Sequence, residues 1–182
     1  MTVIYSNMGD DDCRALQLLW QNIPDVNLIE IRKGDENYEE IVNDAISSEN
    51  DTIMFLGHGT PHGLLFPDFY RGWYLLHDEN VNLIRARRVI CCWCYASSFV
   101  SSHNLHAFST SMFISNTGEA LVHGIRGYTQ EQINSTGERF YTELNSLIIN
   151  DVPMEEWIMR LGVHMNVEDQ IDVFNRQGLF FQ

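Results

Sequence analysis

Two apolar stretches constrain this chain more than any other feature. Asp51-Thr-Ile-Met-Phe-Leu-Gly ends in His58-Gly59-Thr60, and Arg88-Val-Ile-Cys-Cys-Trp ends in Cys94-Tyr-Ala-Ser97. Neither alternates between apolar and polar residues, so neither suits a half-exposed strand. Uninterrupted apolar stretches of this length suit parallel strands buried on both faces. Each stops abruptly at a reactive side chain followed by small residues. Open α/β sheets bind their ligands outside the carboxyl ends of the strands. A histidine on one such end and a thiol on another point to a His58–Cys94 pair.

The rest of the first half fits a sheet. Thr2 to Tyr5 reads as a strand. The loop Ser6 to Asp12 leads into a helix spaced by Leu16, Leu19, Trp20 and Ile23 and stopped at Pro24. Val26 to Ile31 is a second strand, and Tyr38, Ile41, Val42, Ala45 and Ile46 mark a second helix. The order β-α-β-α-β predicts a mainly parallel sheet covered by helices. Gly63–Pro67 and Trp73–Leu76 are expected to form a hairpin across Asp68 to Gly72, and Glu79 to Ile84 a short helix. Tyr95 to Phe108 is expected to be helical, Ser111 to Ser115 a fifth strand, and Ala120 to Ile125 extended. Thr129 to Asn150 is the longest predicted helix, with another opening at Pro153. Val167 to Phe174 fits either helix or strand, and Leu179 to Phe181 is an apolar tail. The fold expected is a three-layer α-β-α sandwich in a single domain over residues 1–182, helical from about residue 129.

Charge narrows the partners. The net charge is −14, and Lys33 is the single lysine. Nucleic acid and anionic membrane surfaces both call for basic protein surface, so neither is an expected partner. No apolar stretch reaches the roughly 20 residues that span a bilayer. Of the four cysteines, Cys91, Cys92 and Cys94 crowd one strand, where disulfides are geometrically disfavoured. Reduced thiols and the lack of a secretory signal lead to the expectation of a cytoplasmic protein.

A strand ending in His-Gly, then a strand ending in Cys, resembles the caspase-like cysteine peptidases (caspases, metacaspases, gingipains, separases and CHAT-domain proteases). The matching blocks are Ile53-Met-Phe-Leu-Gly-His58-Gly59 and Val89-Ile-Cys-Cys-Trp-Cys94, with the cysteine 36 residues after the histidine. The likeness extends over roughly the first two-thirds of the chain. It implies a catalytic dyad of His58 and Cys94, an oxyanion met by the backbone N–H groups of Gly59 and Cys94, and a protein or peptide substrate. A zinc site on His58, His62 and the cysteines is not expected, since their spacing matches no standard metal pattern, and no cofactor is expected. In that family the residue before the scissile bond dictates specificity, through loops at the same sheet edge. Asp10, Asp11, Asp12 and Glu119 fall on such loops and would suit arginine or lysine. The three aspartates equally suit a helix cap. One departure stands out: the family usually has a small residue before its cysteine, and here it is Trp93.

Two other classes compete. The turns Gly57 to Thr60 and Ser115 to Gly118 follow apolar stretches and could cradle phosphate in a flavin- or nucleotide-binding module. Neither completes a phosphate-loop fingerprint, and the first loop is acidic. A catalytically inactive, caspase-like binding protein is the other. Retention of both His58 and Cys94 ranks it below the enzyme.

Overall fold

The computed structural model describes residues 1–68 and 71–182. The first half runs β1 (Thr2–Asn7), α1 (Asp11–Ala15), β2 (Asn27–Arg32), α2 (Tyr38–Ser48) and β3 (Thr52–Leu56). A three-stranded antiparallel excursion follows: β4 (Gly59–Thr60), β5 (Gly63–Leu65) and β6 (Tyr74–Leu76). The expected hairpin is β5 with β6; its connection includes positions 69 and 70, which lie outside the described residues. The chain then re-enters the main sheet through β7 (Arg88–Cys92), α3 (Ala96–Ser102) and β8 (Phe108–Thr110). It finishes with α4 (Thr117–Val122), α5 (Gln130–Ile149), α6 (Trp157–Val163), α7 (Gln170–Gln177) and β9 (Leu179–Phe181).

Among the described residues the main sheet has six strands, ordered β2-β1-β3-β7-β8-β9. All neighbours are parallel except β8 with β9. Side chains alternate across it, as strand geometry requires. Ile4, Ile53, Phe55, Val89 and Cys91 join the core under α2 and α3. Val3, Tyr5, Met54, Leu56, Ile90 and Cys92 join the core under α1 and α5. Helices therefore cover both faces, and the unalternated apolar strands are explained by burial on both sides. Each such Leu, Ile or Phe contributes about 1.5–3 kcal/mol relative to exposure.

The chain steps from β1 outward to β2, then returns past β1 to β3. That reversal opens a crevice at the carboxyl ends of β1 and β3, the usual ligand site of open α/β sheets. The loop after β1 carries Asp10, and the loop after β3 carries His58.

Several sequence expectations need correction. The strand expected at Ser111 to Ser115 lies at β8, three residues earlier. Asn175 explains the difference: its side chain donates to the Ile114 carbonyl and accepts from the Ile114 amide, taking the bonds a ladder would use. Ala120 to Ile125 is not extended. Thr117–Val122 is helical because the Asn116 side chain accepts from the Glu119 amide and caps it. Glu79 to Ile84 forms only a single 3₁₀ turn at Val81–Leu83. The helix expected from Tyr95 to Phe108 is the shorter α3. The Leu179 to Phe181 tail is the antiparallel edge strand β9. The long helix stands as expected, with Thr129 and Gln132 forming a capping box. No helix among the described residues is long and apolar enough to cross a membrane.

Candidate active site

A hydrogen bond bridges the crevice at the β1/β3 reversal. His58 Nε2 lies 2.8 Å from an Asp10 carboxylate oxygen. Both side chains are partly shielded, at 22% and 38% exposure. The other Asp10 oxygen accepts from the Cys13 amide and caps α1. Asp10 therefore spans two roles, fixing a helix start and orienting an imidazole. Burial would raise its carboxyl, but the Cys13 amide and His58 outweigh that and hold it below the usual value. The carboxylate is ionised at neutral pH and can accept a hydrogen bond from Nε2–H.

Local backbone delivers His58. Gly57 has φ 147°, and a β-carbon there would meet the Ser6 β-carbon at 2.7 Å. Only glycine lets β3 turn so tightly against β1. The Ser6 hydroxyl donates to the Leu65 carbonyl and ties the excursion to the same edge.

Cys94 sits past the end of β7. Side chains alternate along β7 and into the turn after it, with Cys91 and Trp93 in one core and Cys92 in the other. The buried Thr110 hydroxyl donates to the Trp93 carbonyl and fixes this turn. Tyr95, the next residue after the thiol, is held at φ 69°. A non-glycine residue there costs about 1–2 kcal/mol, and such strain clusters at functional sites.

Trp93 is buried, and its indole N–H donates to the Thr60 carbonyl at 3.1 Å. The ring lies against Gly59, where a β-carbon would come within 1.9 Å of the indole Cδ1. The large residue before Cys94 and the glycine after His58 thus fit each other. Gly59→Ala is expected to force the indole out of place and to cost about 1–3 kcal/mol, the usual range for overpacking. Urea denaturation measures it, and an unchanged midpoint would refute this packing account.

His58 and Cys94 line one cavity of about 40 Å³, together with Asp12, Phe113, Ser115, Glu119 and Tyr141. This is room for one or two waters. Burial pushes the Cys94 thiol up to about 11, and Glu119 and Asp12 add to the rise. The resting thiol is protonated, so attack on a carbonyl requires a base.

The acidic residues separate into different roles. Asp12 lines the cavity and accepts from Asn116 Nδ2. Glu119 lines it too, accepting from the amide and hydroxyl of Ser115. Asp11 points outward and pairs with Arg14 at the surface. Asp10 faces His58. Gly57, rather than Gly59, is among the cavity-lining residues.

Sequence reasoning missed two members of the site. Asp10 was expected to meet substrate, not the imidazole. Cys13 has no site role in the sequence reading, yet its sulfur lies with an Asp10 oxygen and a His58 nitrogen in one group, all within 4.8 Å. Topology was the available signal for Asp10: a carboxylate just after β1 and a histidine just after β3 must face the same crevice.

Compared with known proteins, the chain matches no family model, no curated protein and no solved structure.

Proposed function

We propose that the protein is a caspase-like cysteine endopeptidase that cleaves after arginine or lysine. The observation that carries this reading is the Asp10–His58 hydrogen bond at the rim of a cavity that also holds Cys94. Activating a protonated thiol takes a nucleophile, a base and an orienting carboxylate, and in this reading Cys94, His58 and Asp10 fill those roles.

In the proposed reaction the Cys94 thiol gives its proton to His58 Nδ1 as sulfur bonds to the scissile carbonyl carbon. The oxyanion is met by backbone amides at this edge, those of Cys94 and Gly59. The imidazolium, stabilised by Asp10, then protonates the leaving amine as the C–N bond breaks. A thioester remains on Cys94. Water, deprotonated by His58, hydrolyses it and releases the thiol.

Asp12 and Glu119 support the choice of a basic residue. A cation between them would meet two carboxylates, and it would offset the part of the thiol's rise that Glu119 and Asp12 add to burial. An arginine side chain exceeds about 40 Å³, so its entry has to widen the cavity. Nothing at the site favours a flavin or nucleotide. The cavity is far below the roughly 300 Å³ of ligand pockets, and its carboxylates oppose phosphate.

The test is hydrolysis of matched fluorogenic peptides ending in Arg, Lys or Asp before the reporter. The wild type is expected to prefer Arg and Lys. Asp12→Asn with Glu119→Gln should cut that preference about 10- to 100-fold, as loss of a close charge pair does. Preferential cleavage after Asp would contradict the proposal.

A further inference from the structure

The group of Asp10, Cys13 and His58 has a second possible chemistry. Its three side chains offer a carboxylate oxygen, a sulfur and an imidazole nitrogen, all within 4.8 Å of one another. A mixed S, N, O set is the donor type that zinc takes, and three protein ligands leave a fourth position open. Zinc bond lengths put tetrahedral ligands roughly 3.3–3.6 Å apart. The 2.8 Å between Asp10 and His58 would open by about half an ångström, and the sulfur would draw in by up to about 1.5 Å. Asp10 and Cys13 sit in one turn, joined by the Cys13 amide, and the Cys13 carbonyl is anchored by the Tyr5 hydroxyl. The turn is thus pre-arranged. Cys13 and His58 both reach the cavity, which supplies an entry path and space for a water as fourth ligand.

We propose that Asp10, Cys13 and His58 form a Zn²⁺ site, and that its occupation switches off Cys94. On binding, Cys13 gives its thiol proton to solvent as the Zn–S bond forms. His58 coordinates through Nε2, the nitrogen that now faces Asp10. Its remaining proton then resides on Nδ1, so that nitrogen no longer accepts one from Cys94. The Asp10 carboxylate is drawn to the metal and stops orienting the ring. Cys94 is not a ligand. The switching rests on the peptidase reading; the binding does not.

The experiment titrates reduced full-length protein with Zn²⁺ against a chromophoric chelator, and with Co²⁺ as a spectroscopic probe. One equivalent of zinc is expected, with the same affinity in Cys94→Ala as in wild type. Cys13→Ser should weaken it about tenfold or more, through loss of the thiolate. Co²⁺ should give a thiolate-to-metal charge-transfer band in wild type and in Cys94→Ala, a readout that does not depend on how Cys13→Ser folds. Zinc should silence wild-type hydrolysis at concentrations that Cys13→Ser withstands. The inference is overturned by no tight equivalent, by no thiolate band, or by binding that follows Cys94 instead of Cys13. Zinc bound as described to a protein that cleaves no peptide would uphold the site and defeat the peptidase reading. Saturating zinc that leaves hydrolysis intact would defeat the switch alone.

Discussion

Cys94→Ala is expected to lower hydrolysis of arginyl peptides by about 10⁴-fold or more while leaving the fold intact. The side chain is small, and its sulfur makes only a long contact of 3.8 Å with the Phe113 carbonyl. Stability should therefore change little. His58→Ala should cost a similar factor, and the double variant hardly more, because nucleophile and base act as one unit. Asp10→Asn tests the orienting role. It keeps the shape and an acceptor oxygen for the Cys13 amide but removes the charge facing His58. A loss of about 10²-fold or more in kcat, with KM little changed, is expected for a group that acts through the imidazole. Steady-state kinetics on the three variants, beside their circular dichroism, check this. Equal activity in Cys94→Ala and wild type would end the cysteine-nucleophile account.

The largest effect on stability lies far from the crevice. Arg176 and Asp172 are each 1% exposed and paired one helical turn apart on α7. The Arg176 guanidinium also donates to the Leu161 carbonyl and pairs with Glu143, so it joins α7 to α6 and α5. Asp172 in turn meets Arg139 of α5 and accepts from the Asn166 amide. Burial works against the Arg176 charge, but Glu143 and Asp172 more than offset it and raise its pKa. Removing one member leaves the others buried and uncompensated. Asp172→Ala is expected to destabilise by about 3–5 kcal/mol. Arg176→Met should cost a similar amount, because it leaves Asp172 and Glu143 without the cation they share. Urea melts give both values. The effect should persist at high salt, since buried pairs are poorly screened. A loss under about 1 kcal/mol for Asp172→Ala would mean that water enters this cluster freely.

The sequence was most legible where one physical constraint dominates. Ile53 to Leu56 and Val89 to Cys92 are apolar on both faces because both faces are covered, and this alone identified them as parallel strands. The long helix was legible from its spacing and from Thr129 and Gln132 at its start. Reading failed where a side chain replaced a ladder. Ile114 lies in an apolar stretch, but its backbone is satisfied by Asn175, 61 residues away in sequence. No local pattern records such a bond. Asn116 to Glu119 did carry a local cap signal, and reading it as a simple turn misplaced α4.

The site divides the same way. His58 and Cys94 were legible because each ends an apolar strand. Asp12 and Glu119 line the cavity, whereas Asp11 faces solvent and pairs with Arg14. Asp10 has a role that only the strand order reveals. Trp93 was legible as a departure but not as a fit, since its complement Gly59 comes from another strand.

The central claim is that Cys94 is a nucleophile reached by basic substrates. Its most direct measurement is covalent labelling with peptidyl chloromethyl ketones, read by intact mass and peptide mapping at neutral pH. An arginyl reagent should add once, at Cys94, and much faster than an aspartyl reagent. Asp12→Asn with Glu119→Gln should remove most of that difference. Labelling at Cys13, or equal rates with the two reagents in wild type, would contradict the account.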